Sequence, residues 1–202
     1  MLKRGLGLPF VLLAGAVAVG CVGTVVQRSF PALQERRTPI LRIAVGSIAI
    51  RPEGAAGAAP LIARQLAEAL VARGVEVVLP ADVGRANGAM DPASGLPELA
   101  AQLNRELGVD ALLVGEITRW VEREGGAAGS QRPASVGLEV ELYGAPDAQR
   151  LWRGEFDRTQ QSLLENVLLT PRYPGGGTRW LTAGEFAQFG ARELVAALPL
   201  VP

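Results

Sequence analysis

The chain contains no histidine and a single cysteine, Cys21. Without histidine there is no Ser-His-Asp or Cys-His machinery and no histidine-ligated metal site. One cysteine leaves no internal disulfide framework and no cysteine-cluster metal site. Lysine is equally scarce, with Lys3 alone near the start. There is no run of one charge: 20 basic residues stand against 20 acidic ones, for a formal net charge of zero. That balance argues against a general nucleic-acid binder. Charged residues make up 20% and hydrophobic residues 49% of the chain, which excludes a disordered polyelectrolyte. At 202 residues one domain is the default, large enough to bury a core without staples.

What is present starts at the N-terminus. Lys3 and Arg4 are followed by an uncharged, mostly apolar stretch over residues 5–20, and Ala18, Val19 and Gly20 then lead directly into Cys21. A basic start, an apolar stretch and a small-residue end are the parts of a secretory signal. This segment resembles the lipobox of bacterial lipoproteins, in which a small residue directly precedes the modified cysteine. The resemblance implies diacylglyceryl transfer to the Cys21 thiol, cleavage between Gly20 and Cys21, and acylation of the new amine by a palmitate-type chain. It departs at one position, where leucine is usual and Ala18 stands.

Two other readings stay open, an ordinary cleaved signal and an uncleaved anchor. The uncharged stretch continues to Val26, and 22 residues can span a bilayer. Against the anchor, Gly and Ala dilute the stretch and Pro9 interrupts it. The only cysteine also stands where a lipobox needs it. Three acyl chains exceed the two signals that stable anchoring takes. Val22, rather than aspartate, follows the cysteine, and by the enterobacterial sorting rule this implies the outer membrane, periplasmic face. Loss of residues 1–20 removes Lys3 and Arg4, leaving 18 basic residues, all arginine, against 20 acidic.

Residues 21–38 show no clean period and read as the lipidated N-terminus followed by a solvated tether. Its 17 residues from Val22 onward reach at most roughly 55–60 Å. The periplasmic domain is expected over 39–202. Residues 40–50 are rich in Ile and Val and read as a strand. Pro60 can open a helix on which Ile62, Leu66, Ala69, Leu70 and Arg73 follow helical spacing up to Gly74. Residues 75–79 read as a short strand and 81–95 as a loop. Leu96, Leu99, Leu103 and Leu107 fall on one face of a second helix ending at Gly108. Residues 111–121 form a third strand, apolar on both faces at its start. Val136, Leu138, Val140 and Leu142 alternate with Gly137, Glu139, Glu141 and Tyr143, as on a half-buried strand. Trp152, Gly154 and Phe156 alternate with Arg153, Glu155 and Asp157 on its hairpin partner. Capping boxes at Ser162/Glu165 and Thr182/Glu185 start two final helices, with Leu181 and Phe186 as a hydrophobic staple at the second. The expected fold is α/β, a mixed sheet in two or three layers. Two βαβ crossovers precede an antiparallel meander and C-terminal helices, and right-handed crossovers are expected to put the two early helices on one face.

The text of residues 41–50, 108–118 and 136–157, with Leu151-Trp152-Arg153-Gly154, resembles a group of bacterial envelope lipoproteins. The group includes the curli-secretion lipoprotein CsgG, the penicillin-binding-protein activator LpoB and the N-terminal domain of TolB. It covers about residues 40–160 and implies action by protein binding or pore assembly rather than catalysis. The chain departs from CsgG in lacking a clear pair of amphipathic pore-forming hairpins. The segment Arg179-Trp180-Leu181-Thr182 fits none of the three.

Candidate sites are few. Glu116, Glu122, Glu139, Glu141 and Glu155 are the carboxylates that acid/base work would draw on. Alternation puts Glu139 and Glu141 on one exposed face, where solvation is the plainer reading. Gly175-Gly176-Gly177-Thr178 lacks the Gly-Lys-Ser/Thr ending of a phosphate loop. Ser47, Ser130 and Ser135 have no histidine to activate them. Trp152 reads as core packing. Tyr173, Arg179 and Trp180, on an exposed Gly/Pro loop over 170–180, and Trp120 near a strand end, are the residue types of binding hot spots. Together these features imply a lipid-anchored periplasmic adaptor or assembly factor of the cell envelope. It would not be an enzyme, and it would have neither cofactor nor metal. Its contacts would be the membrane through its lipid and an envelope protein. The alternative is a homo-oligomeric subunit of an outer-membrane secretion or export complex. A glycan-directed enzyme using paired carboxylates is a third reading.

Overall fold

The computed structural model describes residues 24–87, 95–145, 147–162 and 170–200. The expected helix after Ser162, the Asn87-Gly88 and Asp91-Pro92 turns in part, and Cys21 itself lie outside them. The strands are β1 (Val26–Ser29), β2 (Arg42–Ile50), β3 (Glu76–Val78), β4 (Ala111–Val121), β5 (Glu124–Gly125), β6 (Ser130–Arg132), β7 (Ser135–Gly144) and β8 (Arg150–Thr159). The helices are α1 (Pro31–Glu35), α2 (Ala58–Ala72), α3 (Pro80–Asn87), α4 (Leu96–Leu107) and α5 (Ala183–Ala197).

Six strands form one sheet in the order β1-β8-β7-β4-β2-β3, and β5 and β6 form a separate small ribbon. β2 pairs in parallel with β3 and β4, while β4, β7, β8 and β1 run antiparallel in turn. The mixed α/β sheet, the two crossovers and the meander are as the sequence pattern leads one to expect.

Alternation along β7 decides what the sheet buries. Val136, Leu138, Val140 and Leu142 all face the core, at 2% exposure or less. They join Ile43, Val45, Leu113, Ile117, Trp152 and Phe156 under α2 and α5. The helices contribute Ile62, Leu66 and Leu70 from α2 and Phe186, Phe189 and Leu194 from α5. Each such side chain contributes about 1.5–3 kcal/mol relative to exposure.

α4 lies on the other face. Leu99, Ala100 and Leu103 pack with Val83 of α3 against Ala44, Leu112 and Val114. The expectation of both early helices on one face is therefore corrected. β3 joins one side of β2 and β4 the other, so the two crossovers run in opposite directions across the sheet. With the same right-handedness they must put their helices on opposite faces. The parallel half is three-layered.

Two further expectations change. Residues 81–87, read as the start of a loop, belong to α3, with Pro80 at its start, Asp82 in its first turn and Val83 buried. Among the helix residues whose burial is described, Val83 alone is buried, which gives no period to detect. Residues 24–38, read as tether, are folded onto the domain. β1 adds to the sheet edge beside β8. Thr24 is buried, and Leu33 of α1 belongs to the main core. The Gln27 side chain accepts the indole N–H of the fully buried Trp152 at 3.1 Å.

Candidate functional site

β8 and β4 end, and β7 begins, at one rim of the sheet, where Val121 pairs with Ser135 and Ser135 with Thr159. The β5–β6 ribbon and the loop 170–182 extend from this rim. Every hot-spot candidate lies here.

The loop is held from several sides. Residues 175–177 all adopt positive φ (79°, 68° and 74°), which only glycine takes at little cost, so the triple glycine is a backbone requirement. The Gln160 amide is 3% exposed and clamps the return: its nitrogen donates to the Arg179 carbonyl at 2.9 Å and its oxygen accepts from Leu181 N–H at 2.7 Å. Trp180 N–H donates to the Ala127 carbonyl of the ribbon at 2.9 Å. Arg123 donates to the Trp180 carbonyl.

Arg179 forms a two-pronged pair with Glu185 at 3.0 and 2.7 Å. Glu185 is also the third helical residue of the capping box read from the sequence: its N–H donates to Thr182 Oγ1 at 3.2 Å, and its carboxylate accepts from Thr182 N–H at 2.9 Å. Glu122 accepts from Ala183 N–H at 3.1 Å, placing a second carboxylate at the positive end of α5.

The Arg179 hydrogen bonds, with the backbone of Thr182 assisting, hold the Glu185 carboxyl at about 2, against 4.5 ordinarily. A depressed carboxyl contributes stability above its unfolded pKa and loses it as pH falls through the folded value. Glu185→Gln keeps the capping box but removes the charge. The variant is expected to be less stable than the parent at pH 6 by about 0.5–1 kcal/mol, the range for a partly exposed pair. The gap should close between about pH 4.5 and 2, followed by urea melts at each pH.

Tyr173 does not stand exposed, as the loop composition suggested. It is 5% exposed, edge-on to Phe186 (centroids 5.6 Å, 89°) and Phe189 (4.9 Å, 77°). Burial pushes its phenol above the ordinary range. Trp120 and Trp180 are each half-buried. Trp180 and Thr24 line one hollow of about 590 Å³, together with Arg158, Gln160 and Tyr173. Thr24, Gln160 and Arg123, which organise this rim, carry no signal in the sequence, and Glu122 stood out only as a carboxylate, because their partners are 19 to 169 residues away.

The carboxylates occupy the open face of the antiparallel half. Register sets Glu116, Glu139 and Glu155 side by side across β4, β7 and β8. Like charges directly opposite repel, and arginines offset them. Arg51 pairs with Glu116 at 2.9 Å, Arg153 with Glu139 at 2.5 Å, and Arg150 with Glu141 at 2.8 Å. Glu141 also accepts from the Tyr143 hydroxyl at 2.7 Å. This is a solvated ladder of ion pairs. Among the described residues no three acidic, histidine or cysteine side chains converge as metal ligands.

No protein-family model and no curated protein matches the chain. Solved structures resemble it in fold. PelC L103M, a dodecamer from Paraburkholderia phytofirmans, is 22% identical with a TM-score of 0.49, over 86% of this chain and 94% of that one. The LpoB C-terminal domain from Salmonella enterica is 18% identical with a TM-score of 0.45, over 64% and 90%. Lipoprotein GNA1162 from Neisseria meningitidis is 20% identical with a TM-score of 0.43, over 63% and 92%. Of the three proteins whose text the chain resembles, LpoB thus has a structural counterpart, and CsgG and TolB have none among these. At this distance the likeness is one of fold alone.

Proposed function

We propose that the chain is a lipoprotein anchored at Cys21 in the outer membrane, where it serves as a periplasmic adaptor or assembly factor by binding an envelope protein. The observation that carries this reading is the position of Cys21. The only cysteine closes a signal-like segment, directly after Ala18-Val19-Gly20. Among the described residues no helix is long and apolar enough to cross a membrane. Binding, rather than turnover, agrees with the absence of histidine and with arginine-paired carboxylates. Glu185 is shifted in the direction opposite to that of a general acid. The lipid confines the domain to a shell at the membrane and so raises its effective concentration for a membrane-bound partner.

The test is intact mass of membrane-extracted protein, wild type beside Cys21→Ala. Loss of residues 1–20 with a gain of acyl chains is expected in the wild type, and neither in the variant. An unprocessed mass in both would mean a spanning anchor and sink the lipoprotein reading.

One observation favours the second reading, a homo-oligomeric subunit of a secretion or export complex. Leu41, Val71 and Leu79 are 64%, 61% and 54% exposed; Leu79 directly follows the edge strand β3, Val71 stands in the last turn of the helix before it, and the Leu41 carbonyl accepts from Glu76 N–H at its start. A ring in sedimentation velocity that is lost on Leu41→Glu/Leu79→Glu would support it.

A further inference from the structure

We propose that the rim bearing Thr24, Trp180 and the β5–β6 ribbon rests directly on the head-group layer of the membrane, with the sheet standing upright on it. The inference rests on acylation of Cys21 as proposed above, and adds what the folded position of β1 does to it.

Thr24 is pinned. It is 6% exposed, and its hydroxyl donates to Glu193 of α5, a carboxylate that also pairs with Arg172 at 2.6 Å. From there β1 runs antiparallel to β8, with Val26 opposite Glu155 and Ser29 opposite Trp152. The chain thus enters the domain from the C-terminal end of β8, which is the rim.

Only Val22 and Gly23 lie between Cys21 and Thr24. Three residue steps span at most roughly 11 Å. The head-group layer on each side of the hydrocarbon is about 5–8 Å deep. While β1 stays paired, the rim cannot lift from the bilayer by more than a few ångströms. The roughly 55–60 Å reach of a free 17-residue tether does not exist.

The rim suits that place. Trp180 and Trp120 are half-buried, and tryptophan favours the head-group level because one part of the ring is apolar and another polar. The ribbon tip, residues 126–129, is exposed and made only of Gly and Ala. The charges around it are largely paired: Arg119 with Asp157, Arg132 with Glu124, Arg172 with Glu193 and Arg179 with Glu185. An anionic surface therefore meets no net repulsion. This assigns Trp180 and Trp120 to lipid, and leaves the opposite end of the sheet, at the β7–β8 turn, for the protein partner. That end stands about 30 Å further out, the length of a ten-residue strand.

The test uses full-length acylated protein in vesicles of phosphatidylethanolamine and phosphatidylglycerol at 3:1. Acylation blocks Cys21, so Ala128→Cys, Gln149→Cys and Arg28→Cys each carry one reactive thiol for a fluorophore. Residue 128 is in the ribbon tip, 149 in the far turn and 28 on the exposed edge of the sheet. Nitroxide placed at the lipid head groups is expected to quench the label at 128 severalfold more than those at 149 and 28. Equal quenching at 128 and 149 with acylated, vesicle-bound protein would overturn the seating and leave the lipoprotein reading intact. Strongest quenching at 28 would overturn it too, by laying the sheet edge on the bilayer. Protein of unacylated mass that fails to float with vesicles would defeat the lipoprotein reading itself, and the seating with it.

Discussion

Phe156→Ala is expected to lower folding stability by about 4 kcal/mol, a large share of the roughly 5–15 kcal/mol that holds a domain together. Phe156 is fully buried on β8, at the point where α5 crosses the sheet. It meets Phe186 at 5.7 Å and 65°, and Phe189 at 5.8 Å and 76°, both edge-on. These geometries contribute about 0.5–1.5 kcal/mol each beyond area burial. The helix approaches so closely only because residue 190 is glycine; a Cβ there would fall 2.7 Å from the Phe156 ring. Removing the ring leaves a cavity under a helix that already touches the sheet with its backbone. Phe156→Leu should cost under about 1.5 kcal/mol if its volume repacks. Urea unfolding of both variants measures this, and a loss below about 1.5 kcal/mol for alanine would show that α5 does not depend on the ring.

The second large effect concerns β1. A soluble chain starting at Pro31 is expected to be about 3 kcal/mol less stable than one starting at Thr24. The deletion strips four residues from the sheet edge and leaves the buried Trp152 indole N–H without its Gln27 partner. An orphaned buried donor alone costs about 1–3 kcal/mol. It also removes Phe30, whose ring lies under the Arg150 guanidinium at 4.4 Å. A tether would contribute nothing, so identical melts for the two chains would restore the tether that the sequence suggested. Gln27→Leu should reproduce part of the loss without removing the strand.

Why β1 escaped the sequence reading follows from the same contacts. All four of its side chains are exposed, so no alternation marks it. Its pairing is backbone hydrogen bonding to β8, which any four residues could supply. β7 is the opposite case: one face is buried residue by residue, and the period of two is written in Val136, Leu138, Val140 and Leu142. The capping box at Thr182 was equally readable because both partners lie within four residues. Tyr173 was misplaced because a Gly/Pro loop looks exposed, and its cover, Phe186 and Phe189, comes from a helix further along. The placement of α2 and α4 on opposite faces depends on which side of β2 the strand β4 joins, a choice between distant segments that no local pattern encodes. The rim shows the same division. Trp180 and Trp120 could be picked out as residue types, whereas Gln160, Glu122 and Thr24, which hold the rim together, are defined only by distant partners.

The distance between β1 and its partner strand also sets an order of events. Gln27 and Trp152 are 125 residues apart, whereas β7 and β8 close over a short turn. Local closures come first and long ones late. On the proposed lipoprotein reading, a chain exported from its N-terminal end would present Cys21 long before β8 has emerged. During that interval the thiol would be joined to a still unpaired β1, within reach of a modifying enzyme. Docking of β1 onto β8 would then end the interval, and the leash, long while the strand is unpaired, would shorten to the few residues ahead of Thr24.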